Sequence, residues 1–219
     1  MAEFYMVTYT GREKDTGAVF DTNDAEAAKR EGILVRGREY KPALMITGDN
    51  QLIKGFEEAL SGMKTGDKKI IEIPPAKAYG ERKPELVKLV PIKPFADNNI
   101  VPSPGMALEV DGRPVRVQSV SGGRVRLDFN HELAGKTLIF EITVNEKIEK
   151  IEDAVQALFE RFFPETKEKA IVKKIGQNLE ITLPKCASDA KSFQTRKVLL
   201  MNEIKRYFKP ENISVSEQQ

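Results

Sequence analysis

Cysteine, histidine and tryptophan are scarce in this 219-residue chain, which contains one cysteine, one histidine and no tryptophan. The single Cys186 excludes an intrachain disulfide and a metal site built from cysteines, and it fits a reducing compartment. No apolar run approaches the about 18 residues of a membrane helix, and the start, Met1-Ala-Glu-Phe4, lacks the basic and apolar stretches of a signal peptide. These absences predict a soluble, unprocessed, cytoplasmic protein, and no cofactor is expected.

A strong excess of charge of either sign is also missing, because 35 basic residues face 33 acidic ones. Dedicated nucleic-acid binders usually carry a concentrated basic face, so nucleic acid is not an expected partner. A weaker alternative, association with RNA through the last 70 residues, stays open: they carry 13 basic against 10 acidic residues, an excess too small to decide. Hydrophobic residues make up 40 % of the chain, enough for the cores of one large domain or of two to three small ones.

The first part of the chain has the periodicity of a sheet with one short helix. Residues 4–10 alternate between two faces as in a strand, while Ile53, Phe56 and Leu60 recur at helical spacing. The predicted elements are a strand over 4–10, a short helix between Asn23-Asp24 and Gly32, a strand at 44–46, a helix over 53–60 and a strand over 67–73. We therefore predict an α+β arrangement in which an antiparallel sheet wraps on a short helix.

Between Pro84 and His131 the sequence changes to closely spaced prolines and tight hairpins. Asp111-Gly112 and Gly122-Gly123 are turn signals, and the apolar residues on either side of them alternate as in strands. This segment is predicted to form a small all-β module. Its limited interior should leave some apolar side chains partly exposed.

The last part of the chain predicts an α-β-β-α-β order that is self-contained enough to fold alone. A helical stripe over 152–163 ends at Pro164, and a hairpin with a short turn follows over 170–183. Ser188 or Asp189 is then expected to cap a long helix that runs to Phe208, with a further strand at 213–215.

Several ordered motifs resemble the FKBP-type peptidyl-prolyl isomerases. They are Val7-Thr-Tyr9-Thr-Gly11, Phe20-Asp21, Leu52-Ile53-x-Gly-Phe56-Glu57, Met63-x-x-Gly66-Asp67, Ile73-Pro74-Pro75-x-x-Ala78-Tyr79-Gly80 and Leu138-x-Phe140-x-Ile142. The segment Asn130-His131-x-Leu133-Ala134-Gly135-Lys136, which follows the β module, is similar to the SlyD-like branch, whose flap carries a chaperone domain. The full layout resembles the long archaeal members with a further C-terminal domain.

The resemblance implies three domains. Residues 1–83 and 132–149 would form an FKBP-like isomerase domain, residues 84–131 an inserted chaperone domain, and residues 150–219 a C-terminal α+β domain. The expected substrates are unfolded or nascent polypeptides with X–Pro bonds. Rotation about such a bond breaks no covalent bond, so no nucleophile or metal is required, and the histidine- and cysteine-rich nickel-binding tail of some SlyD-like proteins is absent.

The resemblance also implies a site made of aromatic and apolar walls around one carboxylate. Asp21 would orient the substrate main chain or polarise it through Tyr9, and the Ile53 N–H and the Tyr79 hydroxyl would bind substrate carbonyls. Residues expected to wall the prolyl ring are Tyr9, Phe20, Leu52, Ile53, Phe56, Tyr79 and Phe140. Ala43 stands where many relatives have an aromatic residue, and the smaller alanine would make one wall of the pocket thinner.

Two further residues are expected to have structural roles. His131, on the return strand near the pocket rim, is assigned a structural hydrogen bond in preference to substrate contact. Cys186 is expected to be an inert small residue.

Two function classes stay open at this point. The first is a prolyl isomerase whose insert captures unfolded chain, and the second is a holdase chaperone with weak or incidental isomerase activity. Tyr9, Asp21, Tyr79 and Phe140 favour the enzyme, whereas Ala43 and the extra domains favour the holdase. Surplus apolar residues on the last helix, including Val198 and Leu199, also suggest a homodimer that forms through the C-terminal domain.

Overall fold

A computed structural model of the chain describes residues 2–48, 51–188 and 190–218. Its first sheet contains five strands: β1 (Phe4–Glu13), β2 (Val19–Thr22), β3 (Ala43–Ile46), β4 (Lys68–Ile73) and β9 (Leu138–Ile148). They pair antiparallel in the order β2-β1-β9-β4, and β3 also pairs with β1. The pairing of β1 with β9 runs from Phe4 opposite Ile148 to Glu13 opposite Leu138. This pairing joins the two chain segments that the insert separates.

Two short helices accompany this sheet, α1 (Ala25–Arg30) and α2 (Lys54–Leu60). Asp24 caps α1 by accepting hydrogen bonds from the Glu26 and Ala27 N–H groups, as the sequence predicts. Helix α2 buries Phe56 against the sheet. A Cβ atom at Gly55 would lie 2.4 Å from the Ile73 side chain, so a glycine there lets α2 approach β4 closely.

The second sheet lies between β4 and β9 in the sequence. Its strands are β5 (Val87–Pro91), β6 (Ala107–Val110), β7 (Arg113–Ser121) and β8 (Arg124–Asp128), in the antiparallel order β5-β8-β7-β6. The prediction of an all-β module was wrong in one respect, because the short helix α3 (Lys93–Asp97) crosses it. Pro94 is compatible with the first turn of a helix, and Phe95 is buried in the core of this sheet.

The third sheet is formed by β10 (Ile171–Ile175), β11 (Asn178–Leu183) and β12 (Ile213–Glu217), and β12 runs parallel to β11. Its helices are α4 (Ile151–Phe162), α5 (Lys185–Ser188) and α6 (Phe193–Phe208). Ser188 does not cap the long helix as predicted: it ends α5 and donates a hydrogen bond to the Lys185 carbonyl at 2.6 Å. The alternative cap, Asp189, lies outside the described residues.

The C-terminal elements share their core with the first sheet, which differs from the expected self-contained unit. Phe4 lies with its ring centroid 5.3 Å from those of both Tyr207 and Phe208. Ile46 of β3 belongs to the same buried cluster as Leu158 of α4. One face of β1 therefore contacts the core with α2, through Tyr5 and Val7, and the other contacts the C-terminal helices. Among the described residues no helix has both the length and the apolar character needed to cross a bilayer.

Candidate functional site

Four aromatic rings from β1, β2, α2 and β9 meet at one end of the first sheet. Phe140 is central, with ring centroids 5.1 Å from Phe56, 5.6 Å from Phe20 and 6.3 Å from Tyr9. The first two pairs are edge-to-face, an arrangement that aromatic rings favour. Phe56 and Phe140 are buried, whereas Tyr9 and Phe20 are half-buried. We call these four residues the aromatic cluster, with the buried rings as its floor and the half-buried rings as its accessible walls.

Gly11 makes this ring arrangement possible. A Cβ atom at this position would lie 2.6 Å from Phe20 Cζ and 2.8 Å from Phe140 Cε1, both too close for a real contact. Because β1 carries no side chain here, the two rings lie directly against its backbone. Any larger residue at Gly11 would displace at least one ring of the cluster.

The carboxylate of Asp21 lies at the edge of the aromatic cluster with both oxygens engaged. The Tyr9 hydroxyl donates a hydrogen bond to Oδ2 at 2.6 Å, and Arg38 donates to Oδ1 at 3.0 Å. Burial raises the pKa of Tyr9 well above its ordinary value, and the hydrogen bond to Asp21 and its negative charge raise it further. Tyr9 therefore stays protonated and keeps its hydroxyl oriented toward Asp21.

The backbone of Tyr9 is held as firmly as its hydroxyl. The buried Asn23 accepts a hydrogen bond from the Tyr9 N–H at 2.7 Å and donates one to the Val7 carbonyl at 2.7 Å. Thr22 donates its hydroxyl proton to the Tyr9 carbonyl at 2.8 Å. These contacts fix the position from which the Tyr9 ring enters the aromatic cluster.

The sequence does not predict the roles of Asn23, which holds the Tyr9 backbone, or of Arg38, which binds Asp21. Asn23 was interpreted only as part of a helix start, and Arg38 lies in a segment of 12 residues between α1 and β3 that carries no recognised motif. No signal in a single sequence identifies a side chain that reaches back to an earlier strand.

Leu52 and Ile53 pack against the same core as the aromatic cluster. Ile53 occupies the N-cap position of α2, where no side chain caps the helix. Its carbonyl accepts hydrogen bonds from the N–H groups of Phe56 and Glu57 at 3.0 and 3.1 Å. A helix N-terminus presents backbone donors that lack intrahelical acceptors, so this end of α2 is suited to hold a carbonyl oxygen.

Within the described residues, the Tyr79 ring contacts none of the four rings of the aromatic cluster. Its ring stacks on His131 at 4.1 Å with an interplanar angle of 4°. Burial, followed by the charge of Asp21, raises the pKa of Tyr79, so the hydroxyl remains a donor. The predicted site residues thus form one cluster of four rings, a carboxylate joined to it, the neighbouring Leu52 and Ile53, and a separate exposed tyrosine.

His131 makes a structural hydrogen bond, since its Nδ1 accepts from the Leu133 N–H at 3.1 Å. The prediction that it lies on the return strand was wrong: it precedes a turn, seven residues before β9 begins. The turn brings its ring over Tyr79, which it contacts as a stacking partner.

A cleft of about 920 Å³ lies between the first and second sheets. Phe20, Glu13 and Lys136 line it on one side, and Arg116 and Gln118 line it on the other. The cleft reaches the aromatic cluster only at Phe20. A chain bound in it would contact both sheets at once.

Cys186 is half-buried. Within the ranges that the structure describes, no three or more histidine, cysteine, aspartate or glutamate side chains are grouped so that they could hold a metal ion.

Comparisons with known proteins agree on one group of relatives. The chain is 45 % identical over 130 residues to a short-type peptidyl-prolyl cis-trans isomerase of Methanocaldococcus jannaschii, covering 59 % of this chain and 83 % of that protein. It is 36 % identical over 159 residues to the FKBP-type peptidyl-prolyl cis-trans isomerase SlyD of Treponema pallidum, covering 71 % and 81 %. An FKBP-type 16 kDa peptidyl-prolyl cis-trans isomerase of Escherichia coli is 33 % identical over 131 residues, covering 58 % and 82 %. A family model described as the IF domain of FKBP26 matches residues 88–133.

Proposed function

Since this chain belongs to the family of FKBP-type peptidyl-prolyl cis-trans isomerases, we propose that it isomerises X–Pro bonds at the aromatic cluster and Asp21. The observation that carries this assignment is the Tyr9–Asp21 hydrogen bond at the open edge of three phenylalanine rings. It places one fixed carboxylate beside an apolar surface suited to a prolyl ring.

Residues 1–83 and 132–149 are proposed as the isomerase domain, and we propose a cytoplasmic location.

The chemistry requires a surface that favours a twisted amide over a planar one. Rotation about the peptide bond costs about 18–20 kcal/mol because resonance is lost. The planar amide is the more polar form, so an apolar floor made of Phe56 and Phe140 disfavours it and helps the twisted form. Each 1.36 kcal/mol gained in the twisted state increases the rate about tenfold.

The polar groups of the site then orient the substrate. The Ile53 N–H and the Tyr79 hydroxyl are proposed to donate hydrogen bonds to substrate carbonyls. Asp21 is engaged on both oxygens by Tyr9 and Arg38, so its proposed effect is to hold Tyr9 and present a negative field, with no proton transfer. Leu52 and Phe20 complete the apolar wall.

Replacing Asp21 by Ala together with Tyr79 by Phe tests this assignment. We expect kcat/KM for a prolyl tetrapeptide to fall at least about tenfold, because about 1.4 kcal/mol of stabilisation of the twisted amide is lost. Asp15→Ala, in the exposed turn between β1 and β2, is the control and should retain full activity. A double variant with an unchanged circular dichroism spectrum and full activity would show that the site is elsewhere.

The inserted domain, residues 84–131, is proposed to act as a chaperone that binds unfolded polypeptide and delivers prolines to the cleft. Support comes from the match of residues 88–133 to an IF domain and from the shared lining of the cleft. The alternative, a holdase with weak or incidental isomerase activity, uses the same residues and is favoured only by Ala43 and the extra domains. Comparing tetrapeptide isomerisation with proline-limited refolding separates the two, because a holdase would slow refolding without accelerating either reaction.

The C-terminal domain, residues 150–219, is proposed to pair with a second copy of the chain. Leu200 and Ile204 are buried, but Val198 and Leu199 on α6 remain 54 % and 46 % exposed. Burying these side chains against a partner would remove apolar area from water, at about 25 cal/mol per Å². We expect light scattering to give twice the chain mass, and Val198→Glu with Leu199→Glu to give the single mass. A concentration-independent monomer for the unchanged chain would rule out this pairing.

A further inference from the structure

The outward face of the second sheet carries an unusual concentration of arginine. Val125 and Leu127 of β8 are buried in the module core, so their neighbours Arg124 and Arg126 point outward. The register places Leu89 and Ser119 opposite Arg126. We call this surface the arginine face. Its members are Val87, Leu89, Pro91, Arg116, Ser119, Ser121, Arg124, Arg126 and one acid, Asp128.

The acid nearest to Arg126 on the same strand is already fully engaged. Asp128 accepts hydrogen bonds from Arg82 at 2.6 Å, from Gln118 at 3.2 Å and from the Asn130 side chain at 2.7 Å. Burial acts to raise the pKa of Asp128, but the hydrogen bonds from Asn130 and the charge of Arg82 outweigh it and lower the pKa. Asp128 is therefore ionised, but its carboxylate oxygens accept hydrogen bonds from Arg82, Gln118 and Asn130, and not from Arg126.

Arg124 and Arg126 consequently stay uncompensated. Arg116 makes an ion pair with Glu132 at 3.3 Å, but in the described part of the chain neither Arg124 nor Arg126 makes a salt bridge. Asp97 lies on α3, on the other side of the sheet, and Glu109 lies on the outward face of β6, two strands away from β8.

Apolar side chains lie directly beside these charges. Leu89 is 52 % exposed, and it flanks Arg126 on β5, an edge strand whose outer side pairs with no other strand of this sheet. The aromatic residues of the module, Phe95 and Phe129, pack into its core rather than onto the arginine face. Single-stranded nucleic acid is usually bound by stacking on exposed aromatic rings, so a polypeptide fits this face better.

The arginine face is continuous with the cleft that reaches the aromatic cluster. A groove of about 490 Å³ is lined by residues that include Leu89 and Arg126. Arg82 and Gln118 line both this groove and the larger cleft. A polypeptide on the arginine face can therefore extend toward Phe20 without leaving the surface.

We propose that the arginine face selects unfolded segments in which acidic and apolar side chains alternate. This inference rests on the proposed chaperone function of the insert and specifies its substrate class. A segment added as a strand along β5 would point every second side chain to the outward face. It would lie two strand spacings, about 10 Å, from β8, a distance that an arginine and a glutamate side chain span together.

Fluorescence anisotropy with the full chain tests the proposal. The probes are three labelled, proline-free peptides of equal length that alternate leucine with glutamate, glutamine or lysine. At low salt we expect the glutamate peptide to bind at least about tenfold more tightly than the lysine peptide, and the difference to shrink at high salt as screening increases. Arg124→Gln with Arg126→Gln should reduce the preference to less than about twofold.

A matched control removes the same charge from the other side of the module. Lys93→Gln with Arg113→Gln changes two exposed cations outside the arginine face and should retain the preference for glutamate. Equal binding of all three peptides, or loss of the preference in the control pair alone, would overturn the proposal. Tighter binding of a single-stranded RNA oligonucleotide than of the glutamate peptide would also overturn it.

Tetrapeptide isomerisation measured on the same variants separates this inference from the proposed function. Both charge variants should retain it, because neither changes the aromatic cluster. Normal isomerisation without a peptide preference would therefore reject the charge selection and leave the catalytic assignment intact.

Discussion

Replacing residues 84–129 by two glycines should abolish suppression of aggregation and slow catalysed refolding by roughly a hundredfold, while tetrapeptide isomerisation stays within about threefold. Under the proposed function, a tetrapeptide needs only the isomerase site, whereas an unfolded chain gains effective concentration near that site when the insert holds it. The two ends are already close. The Lys83 N–H donates to Asn130 Oδ1 at 2.9 Å, and the Gly135 N–H donates to the Gly80 carbonyl at 2.8 Å.

The short linker keeps these contacts, so the proposed isomerase domain should close around it without strain; two glycines span up to about 7 Å. Asn130→Ala is a useful companion variant, because it keeps the insert but removes its side-chain hydrogen bonds to Lys83. Its refolding activity should lie between those of the excised and unchanged chains. Equal loss on tetrapeptide and protein substrates after excision would instead mean that the insert belongs to the catalytic pocket.

Phe4→Ala should lower the free energy of unfolding by about 3–5 kcal/mol, although Phe4 lies outside the proposed site. The ring is 4 % exposed and packs on both Tyr207 and Phe208, so its removal leaves a cavity between the first sheet and α6. The midpoint of thermal unfolding should fall by roughly 6–20 °C for a chain of this size.

Ile70→Ala is the control on the same sheet. Ile70 is 73 % exposed on β4, so its truncation should shift the midpoint by less than about 2 °C. A Phe4→Ala shift as small as this would mean that the C-terminal helices contribute little to the stability of the first sheet. Residues 1–149 alone would expose Phe4 and Ile46 and are expected to aggregate more readily than the full chain.

The ring cluster could be predicted because its residues sit in ordered motifs on strongly periodic elements. Leu138, Phe140 and Ile142 occupy every second position of β9 and share its buried face, and Phe56 lies on the apolar stripe of α2. Such periodicity determines which side of an element faces the core. Tyr9 and Asp21 were identified from the same motifs, and the two side chains are joined by a hydrogen bond. That Asp21 orients the substrate or polarises it through Tyr9 stays a prediction.

The features that were missed depend on contacts between segments far apart in the sequence. Arg38 reaches Asp21 from the segment between α1 and β3, and Phe4 contacts residues near the other end of the chain. Local preference also failed at the start of α6, where the residue before the helix, Ser192, adopts a left-handed backbone with φ of 59° and makes no side-chain cap. Packing of Phe193 and Leu200 into the shared core outweighs the usual capping preference there.

The contact of Phe4 with Tyr207 and Phe208 also sets an order of events during synthesis on the ribosome. The first strand leaves the ribosome about 200 residues before its aromatic partners, a delay of roughly 10–40 s at 5–20 residues per second. Strand β9, which pairs with β1 from Phe4 to Glu13, is also synthesised late, because it spans residues 138–148. For that interval Phe4 and its neighbours are uncovered apolar chain, the kind of surface that aggregates.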